Sequence, residues 1–250
     1  MKRSVFLRQN GSECDFNNSD SWVILSPIEQ SIKRKIEAAG TPLKDWDINI
    51  YRGVLTGCNE AFIISTEKRD EILANCKTEE ERTRTAELIR PILRGRDIKR
   101  YGYDWAGLWL IYIPWHFPYQ FDNSITGASE KAEKAFKEQY PAVYNHMLQY
   151  KEPLSKRNKA ETGIRYEWYA MQRWGAKYWE DFSKPKIVWA ELARTGNAFA
   201  LDSGNNMVGN TGYILTVPSN NQDELLYLLA FLNSRSMLYS LNPKFRSILV

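Results

Sequence analysis

The chain has 250 residues, 43% hydrophobic and 26% charged, which suits one large domain or two small ones around a real core. Three cysteines (Cys14, Cys58, Cys76) without a CxxC pair, and only two histidines (His116, His146), argue against a disulfide framework or zinc site and for a reducing cytoplasm. No apolar run reaches the roughly 18 residues of a membrane helix, no signal-peptide core is present, and the net charge of +4 is modest.

Residues 1–22 are polar and irregular and read as a linker. "SPIEQSIKRKIEAAG" (26–40) predicts a helix: Ser26 and Glu29 have capping-box spacing, Pro27 suits the first turn, and Ile28, Ile32 and Ile36 share one face. Gly40 and Pro42 end it. "DINIYRGVLTGCNEAFII" (47–64) reads as a strand, a turn with Gly53 and Gly57, and a second strand. "TEEERTRTAELIRPIL" (78–93) reads as a helix capped by Thr78 and Glu81 and closed by Pro91. "LWLIYI" (108–113) is a strand, and residues 129–150 are helical with a joint at Pro141. "KIVWAEL", "AFALD" and "GYILTV" are strands separated by Gly and Asn turns, and "DELLYLLAFLNSRSMLYSL" (223–241) is a prominent apolar helix. Helices and strands without regular alternation predict an α+β class.

Two stretches concentrate positive charge. "RGRDIKRY" (94–101), with Arg90 just before it, sets Arg94, Arg96, Lys99 and Arg100 around Asp97, which is placed to orient Arg94 or Arg100. Residues 151–186 hold nine Lys/Arg against five Asp/Glu, so the rest of the chain is net negative. Within that second island, "RYEWYAMQRWGAKYWEDFSKPK" interleaves Arg165, Gln172, Arg173 and Lys177 with Trp168, Tyr169 and Trp174. Cations supply phosphate contacts, and Arg or Gln can also read base edges. With nine Trp in the chain, several are expected at a surface that binds. The ordinary alternative is that the rings are core and the cations a solvated rim.

Catalytic signatures are sparse. The sequence lacks GxGxxG, P-loop, HExxH and GxSxG motifs. Glu191 lacks the lysine two positions on that a restriction-type metal site needs, since Ala193 stands there, and reads as a strand-end carboxylate pairing with a base such as Arg194. "NPKF" (242–245) lacks the second proline of the methyltransferase "[DNS]PP[YFW]" signature.

"YRGVLTGCNEAFII", "IRPILRGRDIKRY", "LWLIYIP", "YPAVYNHMLQYKEPLSKR", "WYAMQRW", "KPKIVWAEL" and "LLYLLAFLNSRSMLYSL" occur in an order that resembles the TaqI-like C-terminal specificity, or target recognition, domain of type IIG restriction–modification enzymes and adenine-specific DNA methyltransferases. The resemblance spans roughly residues 22–242. It implies a module that grips double-stranded DNA and reads its site while an upstream methyltransferase domain of the same polypeptide flips the adenine. Residues 1–22 would then be the tail of that upstream domain, and 23–250 the recognition domain, cut before its last strands. No cofactor is implied for this chain. The parent would use S-adenosylmethionine, and magnesium with a fused nuclease.

The candidate DNA-contacting residues are Thr56, Asn59, Arg94, Arg96, Lys99, Arg100, Lys156, Arg157, Arg165, Tyr169, Gln172, Arg173 and Lys177, with no catalytic or metal-binding candidate. Residue type assigns Arg96, Lys99 and Arg100 mainly to phosphate, and Gln172 and Arg173 to base edges. Two other classes compete: a metal-dependent nuclease built on Glu191 and neighbouring acids, and an RNA-binding or protein-interaction module.

Overall fold

The computed structural model describes residues 26–42, 45–192, 198–235 and 237. The expected linker and the "NPKF" stretch lie outside them, as do Arg194 and Cys14. Helix α1 (Pro27–Ala39) starts with the expected capping box: Glu29 N donates to Ser26 Oγ at 3.3 Å, and Ser26 N to Glu29 Oε2 at 2.7 Å. None of its residues is buried, and Ile28 is 73% exposed.

Two four-stranded sheets organise the rest. The first has the order β1 (Asn49–Arg52), β8 (Gly212–Thr216), β5 (Lys186–Ala190), β6 (Phe199–Asp202), all antiparallel. The second has the order β2 (Ile63–Ser65), β4 (Leu108–Ile111), β3 (Ile89–Leu93), β7 (Met207–Val208), with β7 parallel to β3. The stretch read as strand–turn–strand is therefore not a hairpin: β1 and β2 belong to different sheets. A single helical turn, α2 (Asn59–Phe62), stands where the second strand was expected to begin.

The helix expected to run to Pro91 is α4 (Glu79–Leu88), which stops at Leu88. Ile89 is β-branched, and Arg90 precedes a proline and so disfavours helix. Both join β3, where Pro91 sits opposite Trp109 and ahead of the two residues that pair with β7. Helix α3 (Thr66–Ala74) packs nearby, and residues 129–150 form α5 (Glu130–Gln139) and α6 (Pro141–Leu148), broken at Pro141 as expected, followed by α7 (Lys151–Lys156).

Strand alternation distributes two cores. Val188, Ala200 and Ile214 face a large core shared by both sheets and α5–α7, which also takes Ile92, Leu110, Phe136 and Val208. Ile187, Phe199 and Leu215 face the other way, onto Leu225, Leu228, Leu229 and Leu232 of α8 (Gln222–Leu232). Most of the apolar stretch beyond α8 lies outside the described residues. Burying each such leucine contributes about 1.5–3 kcal/mol.

Beneath the first sheet, Lys186 and Asp202 form a fully buried ion pair, Nζ to Oδ2 2.5 Å. Lys186 also donates to Phe182 O, and Asp202 Oδ1 accepts from Asn206 Nδ2 and the Tyr103 hydroxyl. Burial pulls the Lys186 ammonium below its ordinary range, and Asp202 opposes that shift. Among the described residues no helix is long and apolar enough to cross a membrane, and no group of three His, Cys, Asp or Glu is placed to hold a metal ion.

Candidate nucleic-acid interface

The crossing between the sheets brings the sequence candidates together. Gly53 leaves β1 so close to the other sheet that a Cβ there would lie 2.1 Å from Gly209 O, so only glycine fits. Val54 N then donates to Val208 O. Leu55 N donates to Arg173 O at 2.9 Å, and Arg173 N returns to Leu55 O at 2.8 Å. Gly57 adopts φ 77°, tucked against Gln172 and Arg157. Thr56 is buried, its hydroxyl donating to Asn59 Oδ1 at 2.6 Å, while Asn59 itself is exposed at the start of α2.

Arg157 ties this loop to the second basic island. Its guanidinium donates to Thr56 O, to Ala170 O and, at 3.0 Å, to Trp168 O. It also lies over the Phe62 and Tyr166 rings. Burial draws its pKa down from the ordinary arginine value. Three carbonyls converge on one planar fork, a geometry lysine cannot reproduce.

The island then divides by exposure. Tyr169 is fully enclosed and donates to Phe117 O, and burial raises its hydroxyl far above the usual phenol range. Trp168 and Trp174 also belong to the core rather than to a surface, and Trp168 Nε1 is satisfied by Glu133 at 2.8 Å. Facing solvent are Arg173 and Lys177, neither with a carboxylate within ion-pair distance among the described residues, and half-buried Gln172 between them and Gly57. Lys156 pairs with Glu152, and Arg165 with Glu161, both at the surface. Arg165 also lies over the Trp115 ring.

The first island is divided the same way. Arg94 grips Asp97 with both arms of its fork at 2.9 and 2.7 Å, and Asp97 also accepts from Arg94 N, so Asp97 orients Arg94 and not Arg100. Burial of Asp97 works to raise its carboxyl, but the Arg94 hydrogen bonds outweigh it and hold the pKa below the ordinary value. Arg100 donates to Asn233 O at 2.8 Å, capping the C-terminus of α8, where the helix dipole favours a cation. Arg96 and Lys99 are exposed, and Lys99 reaches back to Arg96 O.

The first island and the loop after β1 are both bonded to one tight turn, residues 209–212. Gly95 N donates to Thr211 Oγ1 at 3.0 Å, and Gly53 N to Gly212 O at 2.9 Å. In sequence the turn carries no signal beyond an Asn-Thr pair bracketed by glycines. Glu191 lies beside it, with both carboxylate oxygens held by Arg52 at 2.7 Å. Its partner is thus a strand residue far away in sequence.

Comparison with known proteins gives these contacts a family context. The model of the TaqI-like C-terminal specificity domain matches residues 90–244, so the "YRGVLTG" stretch lies ahead of the match. The type II methyltransferase M.MjaIV of Methanocaldococcus jannaschii is 21% identical over 183 residues, covering 73% of this chain and 53% of that protein's length. A solved structure of the type IIL restriction–modification enzyme MmeI in complex with DNA aligns over 76% of this chain and 21% of its own, with a TM-score of 0.44 and 14% identity. The family match takes in more than half of the sequence, including both basic islands and the turn of residues 209–212; the chain belongs to the TaqI-like C-terminal specificity domains.

Proposed function

We propose that this chain is the duplex-reading module of a restriction–modification protein. The observation that carries the reading is the match to a specificity domain over residues 90–244. The structure suggests how the work is shared. Arg96, Lys99 and Lys177 are exposed and suited to phosphate, and half-buried Gln172 and exposed Arg173 are assigned to base edges. Thr56, Arg94, Arg157 and Tyr169 act as positioning residues, because their polar groups are engaged inside the fold, and so does exposed Arg100, whose guanidinium is tied to the end of α8.

Methyl transfer to adenine, the S-adenosylmethionine it consumes, and any magnesium-dependent cleavage belong to domains outside this chain, in a cytoplasmic parent protein. The chain spans about half the length of the methyltransferase it matches, which is in keeping with that division. The reading is tested by fluorescence anisotropy with a short mixed-sequence duplex and with its single strands over a salt series. Duplex is expected to bind more tightly, with affinity falling steeply as salt rises. Tighter binding to the single strands, or salt-independent binding, would overturn it.

A further inference from the structure

We infer that Asn210 reads a base pair, its side-chain amide presented to an adenine by the rigid turn of residues 209–212. The inference rests on the duplex-recognition reading above and adds a residue and a base to it.

The turn is held from every side. Gly212 N closes it on Gly209 O at 2.9 Å, and Gly209 N donates to Leu93 O at 3.0 Å. Glu191 N donates to Thr211 O at 2.8 Å. Arg52 Nε donates to Asn210 O at 3.0 Å while its other nitrogen grips Glu191. With Gly53 and Gly95 also bonded to it, the turn is fastened to the ends of β1, β3 and β5 and to the first basic island.

Nothing inside the fold requires an asparagine at its tip. Among the described non-glycine residues only Tyr101, His116 and Asn220 have positive φ, so Asn210 is not there for a left-handed backbone. Its side chain is half-buried, and its amide makes no hydrogen bond among the described residues. A surface amide on a mobile loop would lose conformational freedom on binding. Here the backbone share of that freedom is already removed by the contacts of the turn, which leaves only the two side-chain torsions to be fixed on binding. A planar amide offers a donor and an acceptor side by side, which matches N6 and N7 of adenine in the major groove. The Arg52–Glu191 pair beside it is locally neutral, so the carboxylate does not repel phosphate.

The test is selection of the 250-residue chain, and of Asn210→Ala and Asn210→Asp, on a randomised duplex library, followed by sequencing of the bound fraction. The unmodified chain is expected to enrich a motif. Asn210→Ala should lose the preference for adenine at one position by about tenfold, within the range of one bidentate contact, with the rest of the motif retained. Asn210→Asp, which keeps the shape but only accepts, should shift that position toward cytosine, whose N4 donates. If Asn210→Ala lowers the melting temperature, the isosteric Asn210→Asp carries the test alone. An unchanged motif in Asn210→Asp would overturn the inference and leave duplex recognition standing. No motif from the unmodified chain would overturn both.

Discussion

Leu55 and Arg173 exchange both of their backbone hydrogen bonds, and so lock the loop after β1 to the second basic island while leaving the Arg173 side chain in solvent. A residue held by its backbone and free at its guanidinium can be truncated without disturbing the fold. Arg173→Ala and Gln172→Ala are therefore expected to leave the melting temperature unchanged and to weaken the preferred duplex over a scrambled one by about 1–3 kcal/mol each. Paired anisotropy titrations measure this difference. Equal weakening of both duplexes would reassign these residues to phosphate.

Arg157 makes the opposite case. Its fork satisfies the carbonyls of Thr56, Trp168 and Ala170 from within the fold. Thr56 O keeps a long bond from Gln172 N at 3.4 Å, but the Trp168 and Ala170 carbonyls lose their donor; leaving buried acceptors unpaired costs about 1–3 kcal/mol each, so Arg157→Ala should lose at least about 2 kcal/mol in a urea melt. Arg157→Lys should recover only part of that, because one ammonium nitrogen cannot span the carbonyls that the fork meets with two separate nitrogens.

The first island contains both kinds of arginine. Arg96→Ala should leave stability unchanged and lower the salt slope of duplex binding by about one phosphate contact. Arg100→Ala removes the hydrogen bond to Asn233 O at the end of α8 and should cost about 1 kcal/mol of stability. Thermal melts beside a salt series separate the two effects.

Asp97 gives the fold an acid limb. Its folded pKa lies below the ordinary 3.8, so its stabilisation is complete above that value and is lost as pH falls through the lower, folded pKa. Asp97→Asn should melt at a lower temperature than the unmodified chain near neutrality, with the gap closing toward the acid end. A constant gap across the titration would assign the effect to packing instead of charge.

Local grammar made much of this fold legible. The capping box of α1, the Thr78 cap of α4, the break at Pro141 and the strands of the first sheet depend on neighbours within a few residues; the other half of the box expected at Thr78 does not form, because the Glu81 carboxylate accepts from Lys77 N and Ala142 N instead. Apart from Asp97 beside Arg94, the partners of the cations were not legible. Arg157 finds carbonyls, Arg100 a helix end and Arg52 a carboxylate, and each meeting is made by tertiary packing. Carbonyls carry no residue-type signature, so a cation that caps them reads in sequence like one that faces solvent. The turn at Asn210 was missed for a related reason: its rigidity comes from three distant segments.

The central claim is that duplex DNA lies on the surface built from Asn59, Gln172, Arg173, Lys177 and the turn at Asn210, flanked by Arg96 and Lys99. Photo-crosslinking of the chain to a duplex carrying 5-iodouracil, with the attached peptides mapped by mass spectrometry, tests it most directly. Crosslinks are expected on peptides covering residues 56–59, 96–101, 172–178 and 209–213. Crosslinks confined to the cation-lined cavity between α4, α5 and α6, where Lys77, Arg84, Lys134 and Lys137 cluster, would place DNA elsewhere and contradict the account.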